Sequence, residues 1–384
     1  MSSVVKEYNP NAPINSQISP EQLKTQLQSN PEEPPQNPSS LPQSPEEPEI
    51  ARPQPQSMPP REVPDNIPQE KFVYNYYSSS TLYAISFQNS QKCRLAIGTM
   101  ERSSNNRIEI LEMVNNELAS VKSEPLEYPS TKLMWGPTLS KPNLLASSSD
   151  FIRLYNFNEN EPKLNLMSTL YNRKSKYCGP LTSFDWNRTN DSMLGTASLD
   201  TTCTIWDLNK TTIRTQLIAH DKEVFDISFS NNEFIFISSG ADGSIRLFDT
   251  RSLDHSTIIY ETKDQSPITK IAWNMENNYF IAALSCEKNI IYIFDNRKEN
   301  VNLVELKLHK APVTGMVWSP NNQTQICSVS EDKNVIISNV QNDDSQNNNS
   351  CYGAPHEINN VSWCSTLPKW IGITFKNQVQ LLKK

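Results

Sequence analysis

Two alternating patterns run through this chain in step. In residues 194–208, LGTASLDTTCTIWDL, Leu194 and Ala197 with the small Thr196 and Ser198 predict a buried strand. Asp200 predicts a tight turn, and Cys203–Leu208 alternates into a second strand that closes on Trp206 and Asp207. Weaker copies of the pattern are LASSSDFIRLYNF (145–157), FISSGADGSIRLFD (236–249), ALSCEKNIIYIFD (283–295) and ICSVSEDKNVIISN (326–339). A second series keeps time with the first, in which a short strand ending on a large aromatic opens each unit. The anchors are Phe87, Trp135, Trp186, Phe229, Trp273, Trp318 and Trp363, spaced 48, 51, 43, 44, 45 and 45 residues apart.

Strand, Asp turn and strand closing on Trp-Asp is the signature of a WD-repeat blade, whose period is roughly 40–45 residues. Seven anchors at that spacing predict an all-β chain, a seven-bladed WD40 β-propeller. The last blade starts at Glu357–Trp363 and continues with strands at Trp370–Thr374 and Gln378–Leu382, after which only Lys383 and Lys384 remain. An unpaired outer edge would expose backbone donors and acceptors. The aromatic run Lys71–Tyr77 precedes the first inner strand and is expected to supply the missing strand. The reading is one propeller over 71–384, latched by strand 71–77.

Residues 1–70 break the pattern. They hold 16 of the 27 prolines, few large apolar residues and no alternation. Such a segment buries too little surface to offset its ordering entropy, which predicts a disordered Pro-rich arm. The arm is acidic, with ten carboxylates against four bases, −6 of the chain's −7. The remainder is near neutral, with 32 acids against 31 bases, and lacks the electrostatic footprint of a nucleic-acid binder. The basic run Arg173-Lys174-Ser175-Lys176 is read as a solvated loop. In the arm, Ser19-Pro20-Glu21-Gln22 resembles a helix start, and Ser19-Pro20 and Ser44-Pro45 have the form of proline-directed phosphorylation sites.

A strong WD blade links a His before the first strand, a Ser or Thr in the second, an Asp in the turn and a Trp in the third. No blade here has all four. One has Thr196, Asp200, Trp206 and Asp207 with Tyr177 at the His position. The next has His220, Ser238 and Asp242 with Phe248 for Trp, and a third has His309, Ser328 and Asp332 with Ser338 for Trp. These residues are expected to be structural, pairing buried polar groups.

Enzymatic chemistry finds little in the sequence. The four histidines (His220, His255, His309, His356) show no metal-ligand spacing, and there is no GxSxG, P-loop or GxGxxG motif. The expectation is a non-enzymatic chain with no cofactor and no metal. Seven cysteines without a CxxC read as small apolar residues in a reducing compartment. No apolar run approaches the roughly 20 residues of a membrane span, and none resembles a signal peptide. The expected setting is cytoplasmic and nuclear, as a monomer within complexes and without direct membrane or nucleic-acid contact.

Several segments go beyond a generic WD repeat. PLTSFDWN (180–187), TASLDTTCTIWDL (196–208), TQLIAHDKEVFDISFS (215–230), GADGSIRLFDTRSLDHSTIIYE (240–261) and EINNVSW (357–363) resemble the TRANSPARENT TESTA GLABRA-type WD-repeat proteins of plants. Their animal counterpart is a scaffold for DYRK-type kinases. The resemblance runs from about Lys71 to the end. It implies a scaffold whose partners are protein kinases or transcription regulators, and alternatively a substrate receptor of a cullin-RING ubiquitin ligase.

The ligase alternative has a local motif. FISSGADGSIRLFDTR (236–251) resembles the box carried by propellers that bind a ligase adaptor, with Asp242, Ile245, Leu247, Phe248, Asp249 and Arg251 in place and Thr250 where an aliphatic is usual. Asp249 and Arg251 alternate at a strand end and share one side, so they are candidates for a charge-assisted partner contact. The other reading is that they only close the blade edge. Phe294-Asp295-Asn296-Arg297 repeats the end of the box without the turn Asp and reads as a weaker copy.

Overall fold

The alternation resolves into 28 strands in seven four-stranded antiparallel sheets. These are seen in a computed structural model that describes residues 73–102, 104–138, 140–172, 179–297, 302–340 and 349–384. The expected arm, the run 173–176 and Tyr177 lie outside the described residues. Each sheet is one blade. The inner strands of blades 1 to 7 are Leu82–Phe87, Lys132–Trp135, Leu181–Trp186, Val224–Phe229, Ile268–Trp273, Val313–Trp318 and Asn360–Trp363, and each ends on one of the seven anchor aromatics. Each inner strand lies beside that of the next blade, and that of blade 7 beside that of blade 1. The propeller is therefore a closed ring around a central channel.

The core consists of seven apolar clusters, one at each blade interface. The anchors are buried there, Trp135 and Trp186 completely. Tryptophan suits this position because its indole N–H finds an acceptor while the rest of the ring is removed from water. Trp186, Trp273 and Trp363 each donate at 2.8 Å to a carbonyl in their own following turn. Trp135 and Trp318 donate instead to the preceding blade, at Ser86 and Ala272.

Neighbouring inner strands belong to different sheets and cannot ladder, so side chains satisfy their facing polar groups. Asp185 accepts from the Phe229 amide at 2.7 Å, and Asp226 from the Ile271 amide at 3.0 Å. Thr182 and Thr314 donate to Val224 and Ile358 carbonyls, both at 2.7 Å. Burial pushes the Asp185 carboxyl up from its ordinary value, against the pull of Lys132 and Arg188.

The fourth strand of blade 7 is Val73–Tyr77, paired antiparallel with Gln378–Lys383 in the register Val73↔Leu382 to Tyr77↔Gln378. Lys71 and Phe72 lie outside the described residues. Asn75 accepts from Gln378 and Gln380 at 2.9 and 2.8 Å, and the Tyr74 ring meets Trp370 at 5.4 Å. The same strand also binds blade 1. Tyr76 donates its hydroxyl to Glu109 at 2.5 Å, Ser78 donates to the same carboxylate at 2.9 Å, and Arg107 completes it at 2.6 Å. Glu109 is only 3% exposed, so a buried carboxylate fastens the last blade to the first.

Candidate functional site

The blade polar networks divide into two kinds. In blade 4 the His220 ring bridges two elements. Nε2 lies 2.7 Å from the Ser238 hydroxyl, and Nδ1 lies 3.0 Å from both Asp242 oxygens. Burial raises the Asp242 pKa, but His220 and the Ser244 amide and hydroxyl outweigh it and hold the carboxyl well below its usual range. Phe248 stacks on Phe236 at 5.0 Å, so an apolar ring pair fills the place of the expected Trp. Blade 6 repeats the bridge, with His309 2.8 Å from Ser328 and 3.1 Å from Asp332. Burial lowers the His309 pKa in spite of the neighbouring carboxylate. Ser338, where Trp is expected, leaves a buried hydroxyl without a hydrogen-bond partner among the described residues.

Blade 3 is built differently. Trp206 donates its indole N–H to Thr196 at 3.1 Å, deep in the blade. Asp200, placed by its sequence position in the same network, instead sits exposed at the turn. It accepts from the Thr202 hydroxyl and amide at 2.6 and 3.1 Å and from Gly179 at 3.4 Å. The bridge that an imidazole forms in blades 4 and 6 has no counterpart among the described residues here. Asp207 accepts from the Lys210 amide at 3.0 Å and closes the next turn. Ser238, His220, Ser328 and His309 are buried inside their blades, and the described residues contain no cluster of potential metal ligands.

The candidate box ends on the rim of the opposite face from the turn aspartates. Arg251 returns its guanidinium to Asp249 through two hydrogen bonds, Nε–Oδ1 at 2.9 Å and Nη2–Oδ2 at 2.6 Å. The guanidinium also lies 4.9 Å over the Phe234 ring. The side chain remains 58% exposed, so the pair is held but accessible. The Arg251 hydrogen bond brings the Asp249 carboxyl down to about 2.

The segment read as a weaker copy has the same geometry one blade on. Arg297 is paired with Asp295, Nε–Oδ1 at 2.8 Å, and its guanidinium lies 4.4 Å over Tyr279. The missing turn Asp does not matter, because that turn lies at the other end of the strand from the Arg pair. The turns carrying Phe234 and Tyr279 are themselves tied, with Asn231 bonded to Asn278 and to the Met275 carbonyl. Sequence reading missed Phe234, Tyr279 and the equivalence of Arg297. The available signal was an aromatic placed just before the second strand of the same two blades. The arrangement offers two neighbouring, pre-oriented guanidinium groups on aromatic platforms, suited to capping backbone carbonyls or carboxylates of a partner protein.

The profile of the WD domain, G-beta repeat, matches residues 210–249 and 300–337. The DDB1- and CUL4-associated factor 7 homolog of Dictyostelium discoideum is 39% identical over 323 residues, covering 82% of this chain and 99% of that protein. An uncharacterized WD repeat-containing protein of Schizosaccharomyces pombe is 33% identical over 65% of this chain and 63% of its own length. A WD repeat-containing protein of Saccharomyces cerevisiae is 31% identical over 63% of this chain and 53% of its own length.

Proposed function

The chain belongs to the WD-repeat family of the DDB1- and CUL4-associated factor 7 homolog, and from that premise we propose which proteins it brings together. It is a protein-interaction scaffold. The observation that supports the finer reading is that the likeness covers 82% of this chain and 99% of the Dictyostelium protein. The partners on this reading are a DYRK-type protein kinase and transcription regulators, held on loops around a rigid ring. Affinity purification of the full chain with mass spectrometry tests it. Recovery of a DYRK-type kinase supports the reading, and recovery of neither a kinase nor a transcription regulator contradicts it.

A second reading is favoured by the rim geometry. Asp249–Arg251 over Phe234 and Asp295–Arg297 over Tyr279 form a doubled contact for a ligase adaptor, and the relative's name ties that protein to DDB1 and CUL4. On this reading the chain is a substrate receptor of a cullin-RING ligase, and the same purification returns adaptor and cullin.

A further inference from the structure

The central channel encloses about 700 Å³, within the roughly 300–1,000 Å³ of ligand pockets. Its wall has a register, because the residue three positions before each anchor falls at the same level in every blade. In blades 2, 3 and 4 these residues are Lys132, Ser183 and Asp226, and they satisfy one another. Lys132 donates to Ser183 at 3.1 Å and lies 3.5 Å from Asp226. Asp226 also accepts from Ser183 at 2.6 Å and from the Ile227 and Ile271 amides, both at 3.0 Å. Asp226, the acid at this level, is fully engaged.

At this level the other half of the ring is not balanced. In blades 5 and 7 the same level holds Lys270 and Asn360, while Gly315 and Ala84 in blades 6 and 1 bring no polar side chain. Lys270 reaches past blade 6 to the Asn360 oxygen at 3.4 Å and lies 5.9 Å from the centre of the Tyr83 ring. A Cβ on Gly315 would press on Val329 and Val361 at 3.0 and 3.3 Å, so the close packing of blade 6 here suits glycine. Lys270 has no carboxylate within ion-pair distance among the described residues. Met134 and Met316 line the same cavity and supply an apolar wall that adapts its shape.

We propose that this half of the channel receives the carboxylate of an Asp or Glu in a partner peptide, with Lys270 as its counter-ion. One unmatched ammonium suits one carboxylate. A phosphate would bring about −1.5 to −2 charges, more than Lys270 balances, and the other cations on the cavity wall, Lys132 and Arg188, stand in blades 2 and 3. The inference rests on the scaffold reading, in that the occupant is a segment of a partner protein.

The test is selection of random linear peptides, displayed on phage, against the immobilised full chain and against Lys270→Gln and Lys270→Glu. Unchanged thermal unfolding confirms that the variants are folded. Wild type should enrich an acidic residue at one position, Lys270→Gln should lose that enrichment, and Lys270→Glu should replace it with a basic residue. A peptide synthesised from the wild-type selection should bind Lys270→Gln about ten- to a hundredfold more weakly, the range of a charge-assisted hydrogen bond. Its Glu→Gln form should lose no more on that variant. Enrichment that is insensitive to position 270, enrichment without an acid, or no enrichment at all overturns the proposal. The scaffold reading is judged separately, by co-purification.

Discussion

Replacing Tyr76 by phenylalanine removes one hydroxyl and isolates the tie between the last blade and the first. The hydroxyl donates at 2.5 Å to Glu109, which also holds Ser78 and Arg107 and is almost fully buried. A hydrogen bond to a charged acceptor contributes about 1.5–3 kcal/mol. Two donors remain on the carboxylate, so the cost should lie near the lower end, about 1.5–2 kcal/mol. Ser78→Ala should cost less alone, and the double variant should lose more than the two singles together, because Arg107 alone then faces the carboxylate. Urea unfolding with matched slopes reads these values.

A pH series gives a second signature. Burial first, and then Glu109, raises the Tyr76 pKa to about 12, above the value near 10 of an unfolded chain. A pKa raised by folding means the contribution is complete below about pH 10 and is lost as pH rises towards 12. Wild type should therefore lose stability relative to Tyr76→Phe over that window. A Tyr76→Phe midpoint equal to wild type, with no difference in pH response, would refute the tie.

Asp242→Ala should cost about 2–3 kcal/mol by taking the carboxylate away from the buried His220 Nδ1, whereas Asp200→Ala, at an exposed turn, should cost under about 1 kcal/mol; equal denaturant midpoints would contradict that division. Ser338→Ala removes a buried hydroxyl without a partner and should leave stability unchanged or raise it by about 1 kcal/mol, which thermal unfolding decides. Arg251→Ala and Arg297→Ala should each weaken recovery of a ligase adaptor, and together abolish it, with kinase recovery intact and the ring folded. Wild-type adaptor recovery by the double variant removes the rim from the ligase reading.

The blade pattern was legible because it is local. Strand period, turn Asp and anchor aromatic each occupy a few consecutive residues, and their repetition made the count of seven readable. What escaped was non-local or depended on which end of a strand a group occupies. Glu109 and Tyr76 are 33 residues apart in different blades, and nothing in either segment announces the other. Asp200 has the sequence position of Asp242 and Asp332, but its role depends on whether an imidazole bridges it to the strand behind. Arg297 was discounted for a missing turn Asp that lies at the far end of its strand. The imbalance at Lys270 becomes visible only when the seven inner strands are set side by side around the channel.

On the proposed function, one molecule of this chain holds two proteins at once. Sequential immunoprecipitation tests it most directly: a tagged full chain is captured from cells, eluted, and captured again through one identified partner, and the second eluate is probed for another. A scaffold should give a ternary complex, with both partners and the chain in the second eluate. Two partners that each co-purify with the chain but never with one another would contradict it.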